Sequence, residues 1–310
     1  MALYLGLDVG GTAIKGVVID GKGCLYGEDS VPTAMGEGIV NGIVTLCNRL
    51  MKNNKVEGIG IGCAGVIDSA EGKVVLAKNL SLADFPLVKL LQEKINLPVK
   101  ITNDANAAAL GEAKFGAGKN YKNSIFVTLG TGVGGGIVID GKLFVGNKSA
   151  GAEIGHMVIE HGGSLCSCGR RGCFEAYSSA TALKKMTKRA MEENPGSAMW
   201  KIYTSDTVTG KTAFEYCETD TAAREVVERY IEYLGCALSN LANIFRPEVI
   251  MLGGGVSKEG EKLTVPLQQI LDREIFAADY APVKVTVATL GSAAGAYGAA
   301  ALIMEQEGIR

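Results

Sequence analysis

The sequence predicts an α/β protein of two domains built from related halves, and three observations lead there. Apolar strand patterns alternate with helical ones along the chain. One stretch, Tyr4 to Lys22, recurs in plan at Ser124 to Lys142, with Val-Ile-Asp-Gly-Lys starting at Val18 and again at Val138, 120 residues further on. Gly-rich turns follow directly on apolar strands, where α/β proteins place ligand-facing turns. The chain has 310 residues, 47% hydrophobic and 21% charged, which is enough for such a core without disulfides.

Taken in order, Tyr4 onward reads as a strand, a Gly10-Gly11 turn, a second strand and an Asp20-Gly21 hairpin turn. Gly58 to Gly65 is a glycine-rich apolar run. Leu87 to Ile95 has helical spacing, Pro98 to Thr102 is a strand entering Asn103-Asp104, and Ala105 to Phe115 is an Ala-rich helix. A domain boundary is expected near Gly116-Ala117-Gly118. After the second hairpin and a cysteine cluster, a helical stretch runs from about Ala180 to Leu241, broken near Asn194-Pro195-Gly196. Pro247 to Leu252 is a buried strand running into Gly253-Gly254-Gly255. The last strand, Val283 to Val287, leads into Gly291 to Ala296, an N-capped helix whose small residues demand close packing.

Composition removes several function classes. A formal net charge of −2, with Lys and Arg dispersed, provides no basic field for nucleic acid. The opening residues lack the basic segment of a secretory signal, and no apolar run reaches the ~20 residues of a membrane span. The expectation is a cytoplasmic protein with reduced cysteines, so clustered cysteines are read as ligands and not as disulfides.

The 42 glycines gather in tight runs, the composition of backbone that approaches a ligand. Gly10-Gly11-Thr12, Gly130-Thr131-Gly132 and Gly253-Gly254-Gly255 are three turns whose N–H groups suit the phosphates of ATP. Asp8 offers a carboxylate for the Mg²⁺ that accompanies ATP, and Lys15 a cation for phosphate charge. Two Gly-x-Gly-x-x-Gly runs, from Gly60 and from Gly130, lack the helix of a dinucleotide site. Gly210-Lys211-Thr212 lacks the leading glycine of a P-loop, Ser205 standing there instead.

Phosphoryl transfer to a hydroxyl needs a base in hydrogen-bond reach of it. Asp104, at a strand end before a helix, is the candidate, with Asn103 as an amide for a neighbouring hydroxyl. The alternative for the pair is simply to cap the helix that follows. Asn79, Glu153 and Glu175 are further polar candidates for a small-molecule partner rich in hydroxyls.

His156 with Cys166, Cys168 and Cys173 forms the ligand set of a closed Cys₃His structural Zn²⁺ site, with Gly169 and Gly172 letting the loop wrap the ion. Three buried free thiols are the alternative, and His161 is a fallback ligand. Cys24, Cys47, Cys63, Cys217 and Cys236 read as small core residues.

Leu7-Asp8-Val9-Gly10-Gly11-Thr12, Asn103-Asp104-Ala105-Asn106, Leu129-Gly130-Thr131-Gly132-Val133-Gly134-Gly135-Gly136, Glu153-Ile154-Gly155-His156 and Cys166-x-Cys168-Gly169-x-x-Gly172-Cys173-x-Glu175 together resemble the ROK family of sugar kinases and repressors, nearest its bacterial glucokinases. The resemblance spans essentially the whole chain. It implies an actin-like, ribonuclease-H-like ATPase fold whose two α/β domains close over ATP and a hexose. The smaller domain is expected at 1–117 with a returning helix at 298–310, the larger, with the zinc loop, at 118–297. It further implies Asp104 as general base, Gly65, Asn79, Asn103, Glu153, His156 and Glu175 around the sugar, His156 serving metal and sugar alike, and a homodimer or homotetramer. The implied reaction moves the γ-phosphate of ATP to the 6-hydroxyl of glucose. Two departures fall by the expected sugar pocket: Cys63-Ala64-Gly65 where the family usually has Pro-Gly, and Ser81-Leu82 where glucokinases often carry Gly-Trp. They keep fructose, allose and N-acetylmannosamine as alternative substrates. A non-catalytic sugar sensor fits poorly with an intact Asp104, and a repressor's helix-turn-helix has no room before a strand that begins by Leu3.

Overall fold

The computed structural model describes residues 1–304. β1 (Leu3–Val9), β2 (Ala13–Asp20) and β3 (Leu25–Pro32) form an antiparallel meander. α1 (Gly38–Met51) follows, burying Ile39, Val40, Ile43, Leu46, Cys47 and Leu50 at helical spacing. β4 (Val56–Cys63) then joins β1 in parallel. A small antiparallel sheet of β5 (Val66–Asp68), β6 (Lys73–Ala77) and β7 (Leu82–Phe85) precedes α2 (Leu87–Gln92). β8 (Val99–Asn103) adds in parallel to β4 and leads directly into α3 (Asp104–Phe115). The sheet order is β3-β2-β1-β4-β8.

The second half repeats this plan. β9 (Ser124–Leu129), β10 (Val133–Ile139) and β11 (Lys142–Phe144) match the first three strands. Helices α4 (Glu175–Ser178), α5 (Ala180–Glu193), α6 (Thr212–Tyr216) and α7 (Thr221–Phe245) follow. β12 (Val249–Gly253), α8 (Glu261–Glu274), β13 (Lys284–Val287) and α9 (Ala294–Met304) complete the described chain. The sheet order, β11-β10-β9-β12-β13, has the same topology as the first. The predicted helical stretch from Ala180 is thus three α-helices with a 3₁₀ turn, Ala198–Lys201, between the first two. Asp220 accounts for one break: it caps α7 through Ala223 N–H at 2.9 Å and also accepts from Ser197 Oγ at 2.9 Å and Ala198 N–H at 2.6 Å, fastening the connection onto the helix start.

The two Val-Ile-Asp-Gly-Lys segments fold differently. Asp140 and Gly141 both take positive φ, 51° and 73°, in a two-residue hairpin that pairs Ile139 with Lys142. Asp20 instead turns its carboxylate on the N–H groups of Lys22 and Cys24, at 2.8 and 2.9 Å, and a longer loop pairs Ile19 with Leu25.

Strand alternation sorts the first sheet's faces. Leu5, Leu7 and Val9 join the core under α1, while Tyr4 on the other face packs with Ala296, Ala300 and Ile303 of α9. On β4 the isoleucines of Gly58-Ile59-Gly60-Ile61-Gly62 face the first core and the glycines face α9. A Cβ on Gly60 would lie 1.7 Å from the carbonyl oxygen of Ala299. The first Gly-x-Gly-x-x-Gly run is therefore a helix-packing surface. α9 enters through a 3₁₀ turn, Gly291–Ala293, without the expected side-chain cap. The fully buried carboxylate of Glu112 on α3 holds this approach, accepting from Thr289 N–H at 3.0 Å, Leu290 N–H at 2.7 Å and Ala117 N–H at 2.9 Å.

The backbone divides into two compact units. The first comprises Met1–Phe126, Gly136–Ala152 and the residues from Thr289 on; the second comprises Val127–Gly135 and Glu153–Ala288. Against the expected limits at 117/118 and 297/298, the first unit reaches further from both ends. Glu112 ties residues 289 and 290 to α3, and Gly136 packs on it, its Cβ position only 2.6 Å from Ala109 Cβ. Residues 305–310 of the expected returning helix lie outside the described residues. Among the described residues no helix is long and apolar enough to cross a membrane.

Candidate active site

In the first unit the carboxyl ends of three parallel strands, β1, β4 and β8, bring Asp8, Cys63 and Asn103-Asp104 together. Their register pairs Asp8 with Gly62, Val9 with Cys63, and Cys63 with Asn103. Asn103 is the cap of α3: its Oδ1 accepts from Ala105 N–H at 2.9 Å and Asn106 N–H at 3.3 Å, and its Nδ2 donates to Gly65 O at 2.9 Å. Asp104 is the first helical residue, with Oδ1 near Ala105 N–H at 2.9 Å. With the cap supplied by Asn103, the Oδ2 of Asp104 stands at the sheet end as an acceptor.

Asp8 lies on the α9 face of β1, so close to the helix that a Cβ on Gly295 would fall 2.8 Å from its Cγ. Burial, then the negative charge of Asp104, pushes its carboxyl up to about 6, while Lys15 beside it on β2 pulls the other way. Such a mostly buried carboxylate is poised to gain from a cation. Cys63 is more than a core residue: burial and the charges of Asp104 and Asp8 push its thiol up to about 12. The family resemblance puts Cys63 by the expected sugar pocket, and the strand register adds that its neighbours there are Asp8 and Asp104.

The Gly10-Gly11-Thr12 turn between β1 and β2 closes through Gly10 N–H to Ala13 O at 3.1 Å and is braced by Thr33 Oγ donating to Gly10 O at 2.6 Å. Exposed Asn79 comes alongside, its Cβ 3.7 Å from the Cβ position of Gly11. Gly65, at φ 116°, lies against Leu76 O.

The second unit holds the other two glycine turns. Gly130-Thr131-Gly132 links β9 to β10, with Gly130 N–H donating to Gly132 O at 3.0 Å. α5 braces it: Ala180 N–H donates to Gly130 O at 2.8 Å and Thr181 Oγ to Thr131 O at 2.7 Å. Gly254, at φ 85°, follows β12, and its Cβ position lies 2.5 Å from Leu129 O, so these two turns are neighbours. The surroundings of Gly255 are open. Glu175 at the start of α4 accepts Val133 N–H at 3.0 Å, beside Gly132. Gly155-His156 packs on the same strand, the Cβ position of Gly155 being 2.0 Å from Val133 O, and exposed Glu153 precedes it.

His156, Cys166, Cys168 and Cys173 place their ligand atoms within 4.8 Å of one another. Cys166 Sγ lies 3.7 Å from His156 Nδ1, and Cys168 Sγ lies 3.7 Å from Cys173 Sγ. A tetrahedron with Zn–S bonds of about 2.3 Å has S···S edges of about 3.8 Å, so the donor set fits zinc. Gly169 and Gly172, at φ 89° and 83°, make the left-handed turns that fold the loop around these donors. Burial pushes the Cys173 thiol up to about 12; a bound cation would supply the charge that favours the thiolate. With Nδ1 turned to the sulfurs, Nε2 of His156 remains for another partner. His161 is not part of the cluster.

The ROK family profile matches residues 4–306. The chain belongs to the ROK family. A glucokinase of Halalkalibacterium halodurans is 39% identical, over 98% of this chain and 96% of its own. Among solved structures, a ROK family glucokinase from Streptomyces griseus in complex with glucose and AMPPNP is 36% identical with a TM-score of 0.80, covering 97% of this chain and 99% of that one. A ROK hexokinase from Thermus thermophilus is 32% identical with a TM-score of 0.84, covering 98% and 99%. The fold is thus that of the ROK, actin-like ATPases, as the duplicated sheet topology requires. Within this ROK chain the first unit gathers Asp8, Gly10, Gly11, Thr12, Lys15, Gly65, Asn79, Asn103 and Asp104, and the second gathers Gly130, Thr131, Gly132, Gly254, Gly255, Glu153, His156 and Glu175. Ser167 and Thr181, which brace the second group, escape a sequence reading because a serine or threonine has no signature apart from its partner.

Proposed function

We propose that this chain is an ATP-dependent hexose kinase whose preferred acceptor is the 6-hydroxyl of glucose. One observation carries the chemistry: Asn103 takes over the capping of α3 and leaves Asp104 at a strand end beside mostly buried Asp8. The sugar follows from relatives, the 39% identical glucokinase and the glucose and AMPPNP complex at 36% identity.

In this reading Asp104 accepts the proton of the sugar hydroxyl as that oxygen bonds to the γ-phosphorus, and the bond to the β,γ-bridging oxygen breaks to release ADP. Asp8 holds the Mg²⁺ that travels with ATP, which neutralises phosphate charge when bound, and Lys15 adds a second positive charge. The turns Gly10-Gly11-Thr12, Gly130-Thr131-Gly132 and Gly254-Gly255 donate backbone N–H groups to phosphates, apart from those of Gly10 and Gly130, which close their own turns. Gly65, Asn79, the remaining Nδ2 hydrogen of Asn103, Glu153, His156 Nε2 and Glu175 orient the sugar. His156 Nδ1 and the three cysteines hold a structural Zn²⁺. The working form we propose is a cytoplasmic homodimer or homotetramer.

Coupled ADP release with magnesium-ATP and a panel of glucose, mannose, fructose, allose, N-acetylglucosamine and N-acetylmannosamine tests this. The highest kcat/KM is expected for glucose. Preference for another sugar would keep the chemistry and move the specificity, so that Cys63 and Leu82 become its determinants; no turnover on any sugar would refute the kinase reading.

A further inference from the structure

The spacer between Cys166 and Cys168 reaches beyond the metal cluster. Ser167 Oγ donates to Glu175 Oε1 at 2.9 Å, while Glu175 Oε2 accepts Val133 N–H at 3.0 Å. That carboxylate fills the space against the glycine turn, Oε2 lying 2.3 Å from where a Gly132 Cβ would be. Cys166 Sγ lies 3.8 Å from Glu175 Oε1. A carboxylate free to rotate exchanges its oxygens and shifts sideways; one held at both oxygens fixes the N–H it accepts. Gly130 N–H is spent inside the turn, and α5 holds the carbonyls of Gly130 and Thr131. The orientation of the remaining N–H groups, those of Thr131 and Gly132, then depends on how firmly Val133 is held.

We propose that Ser167 is a positioning residue that couples the Cys₃His cluster to the Gly130–Gly132 turn through Glu175, so that metal occupancy sets affinity for nucleotide phosphates. The proposal rests on reading that turn as a phosphate loop. It differs from a purely local structural role for the metal, because it requires the cluster and Ser167 to act on nucleotide binding along one path.

The test is calorimetric titration of magnesium-ADP into the wild type, Ser167→Ala and Ser167→Thr, each metal-loaded and each treated with a zinc-selective chelator, with bound zinc measured throughout. One lost hydrogen bond corresponds to about a 3- to 10-fold weakening. Loaded Ser167→Ala is expected to keep its zinc, weaken ADP by that factor and raise KM for ATP more than KM for sugar. Ser167→Thr is expected to restore the wild-type value. Chelation should weaken ADP in the wild type at least as much, yet add little to Ser167→Ala, the non-additivity of one shared path. Unchanged ADP affinity in loaded Ser167→Ala, an effect on sugar alone, or simple additivity of the two perturbations would overturn the coupling. A wild type that binds no ADP would overturn the phosphate-loop reading, and this inference with it.

Discussion

Asp8 and Asp104 are two carboxylates in unlike settings at one sheet end, and each setting makes a separate prediction. Asp104→Asn keeps the shape and removes the base, so kcat should fall by about 10²- to 10⁴-fold with sugar affinity nearly unchanged. Steady-state kinetics with equilibrium sugar binding checks this, and near-normal kcat would remove Asp104 from the role. Asp8 is raised from 3.8 to about 6. A raised acid stabilises the fold fully below its unfolded value and loses that contribution as pH climbs through the folded one, so ligand-free wild type carries a burial cost above about pH 6. Asp8→Asn should therefore be more stable than wild type by about 2–3 kcal/mol at pH 7 and by little near pH 4, while losing turnover. Denaturant midpoints at the two pH values measure the difference. In the wild type, kcat/KM should decline as pH drops below about 6, where Asp8 gains a proton and loses the charge that attracts the cation. These positions were legible because strand-end carboxylates beside glycine turns follow from local pattern. The resemblance puts Cys63 near the pocket, but its place between the two carboxylates was not legible, since those neighbours come from β1 and β8, far away in sequence.

Elements were read well where one period runs uninterrupted. α3 and β12 lie within a residue or two of their expected limits, as the Ala-rich run and the apolar run dictate. Failures occurred where a distant polar group decides the local course. The same five residues form a tight hairpin at Asp140 and a loop at Asp20, because only Asp20 finds two backbone N–H donors to hold. The segment before α9 looked self-capped, but it is held by Glu112, 177 residues away from Thr289. The glycines of β4, whose spacing fits a dinucleotide pattern without its helix, serve to admit α9 instead. With the Gly60 Cβ position 1.7 Å from Ala299 O, and Gly298 at 1.6 Å from Ala107 O, no side-chain rotation relieves the clash. Gly60→Ala should therefore cost about 3 kcal/mol or more by pushing α9 off its sheet. Thermal melting should show the loss, and an unchanged midpoint would mean that α9 sits less closely than described.

At the scale of the whole molecule, duplication explains why the architecture was readable from one strand-turn-strand repeat, while the cysteine loop breaks the symmetry. Nothing in the first half corresponds to the segment from His156 to Cys173, and its buried apolar side chains, Cys166 and Cys173, are themselves donors. Besides the four donors, it is fastened by two short antiparallel bridges, Val158 with Cys173 and Leu165 with Arg171, by Ser167 Oγ donating to Glu175 at 2.9 Å, by Tyr177 Oη accepting Ser164 N–H at 2.6 Å, by buried Phe174 and by Gly155 against Val133. The sheets, in contrast, have apolar cores that do not involve the cluster, such as Leu5, Leu7, Ile59 and Ile61 in the first. Metal removal should accordingly melt a segment and not the protein. Hydrogen exchange after chelation is expected to rise sharply between about residues 153 and 175 and in the Gly130–Val133 turn that Glu175 touches, with β1, β4 and β12 staying protected. Cys168→Ser should reproduce that pattern and bind zinc more weakly, because one of the three thiolates among the four donors is lost. If chelation instead unfolded both sheets cooperatively, the cluster would be a keystone of the whole fold; if exchange in the loop did not change, the four donors would hold no metal of consequence.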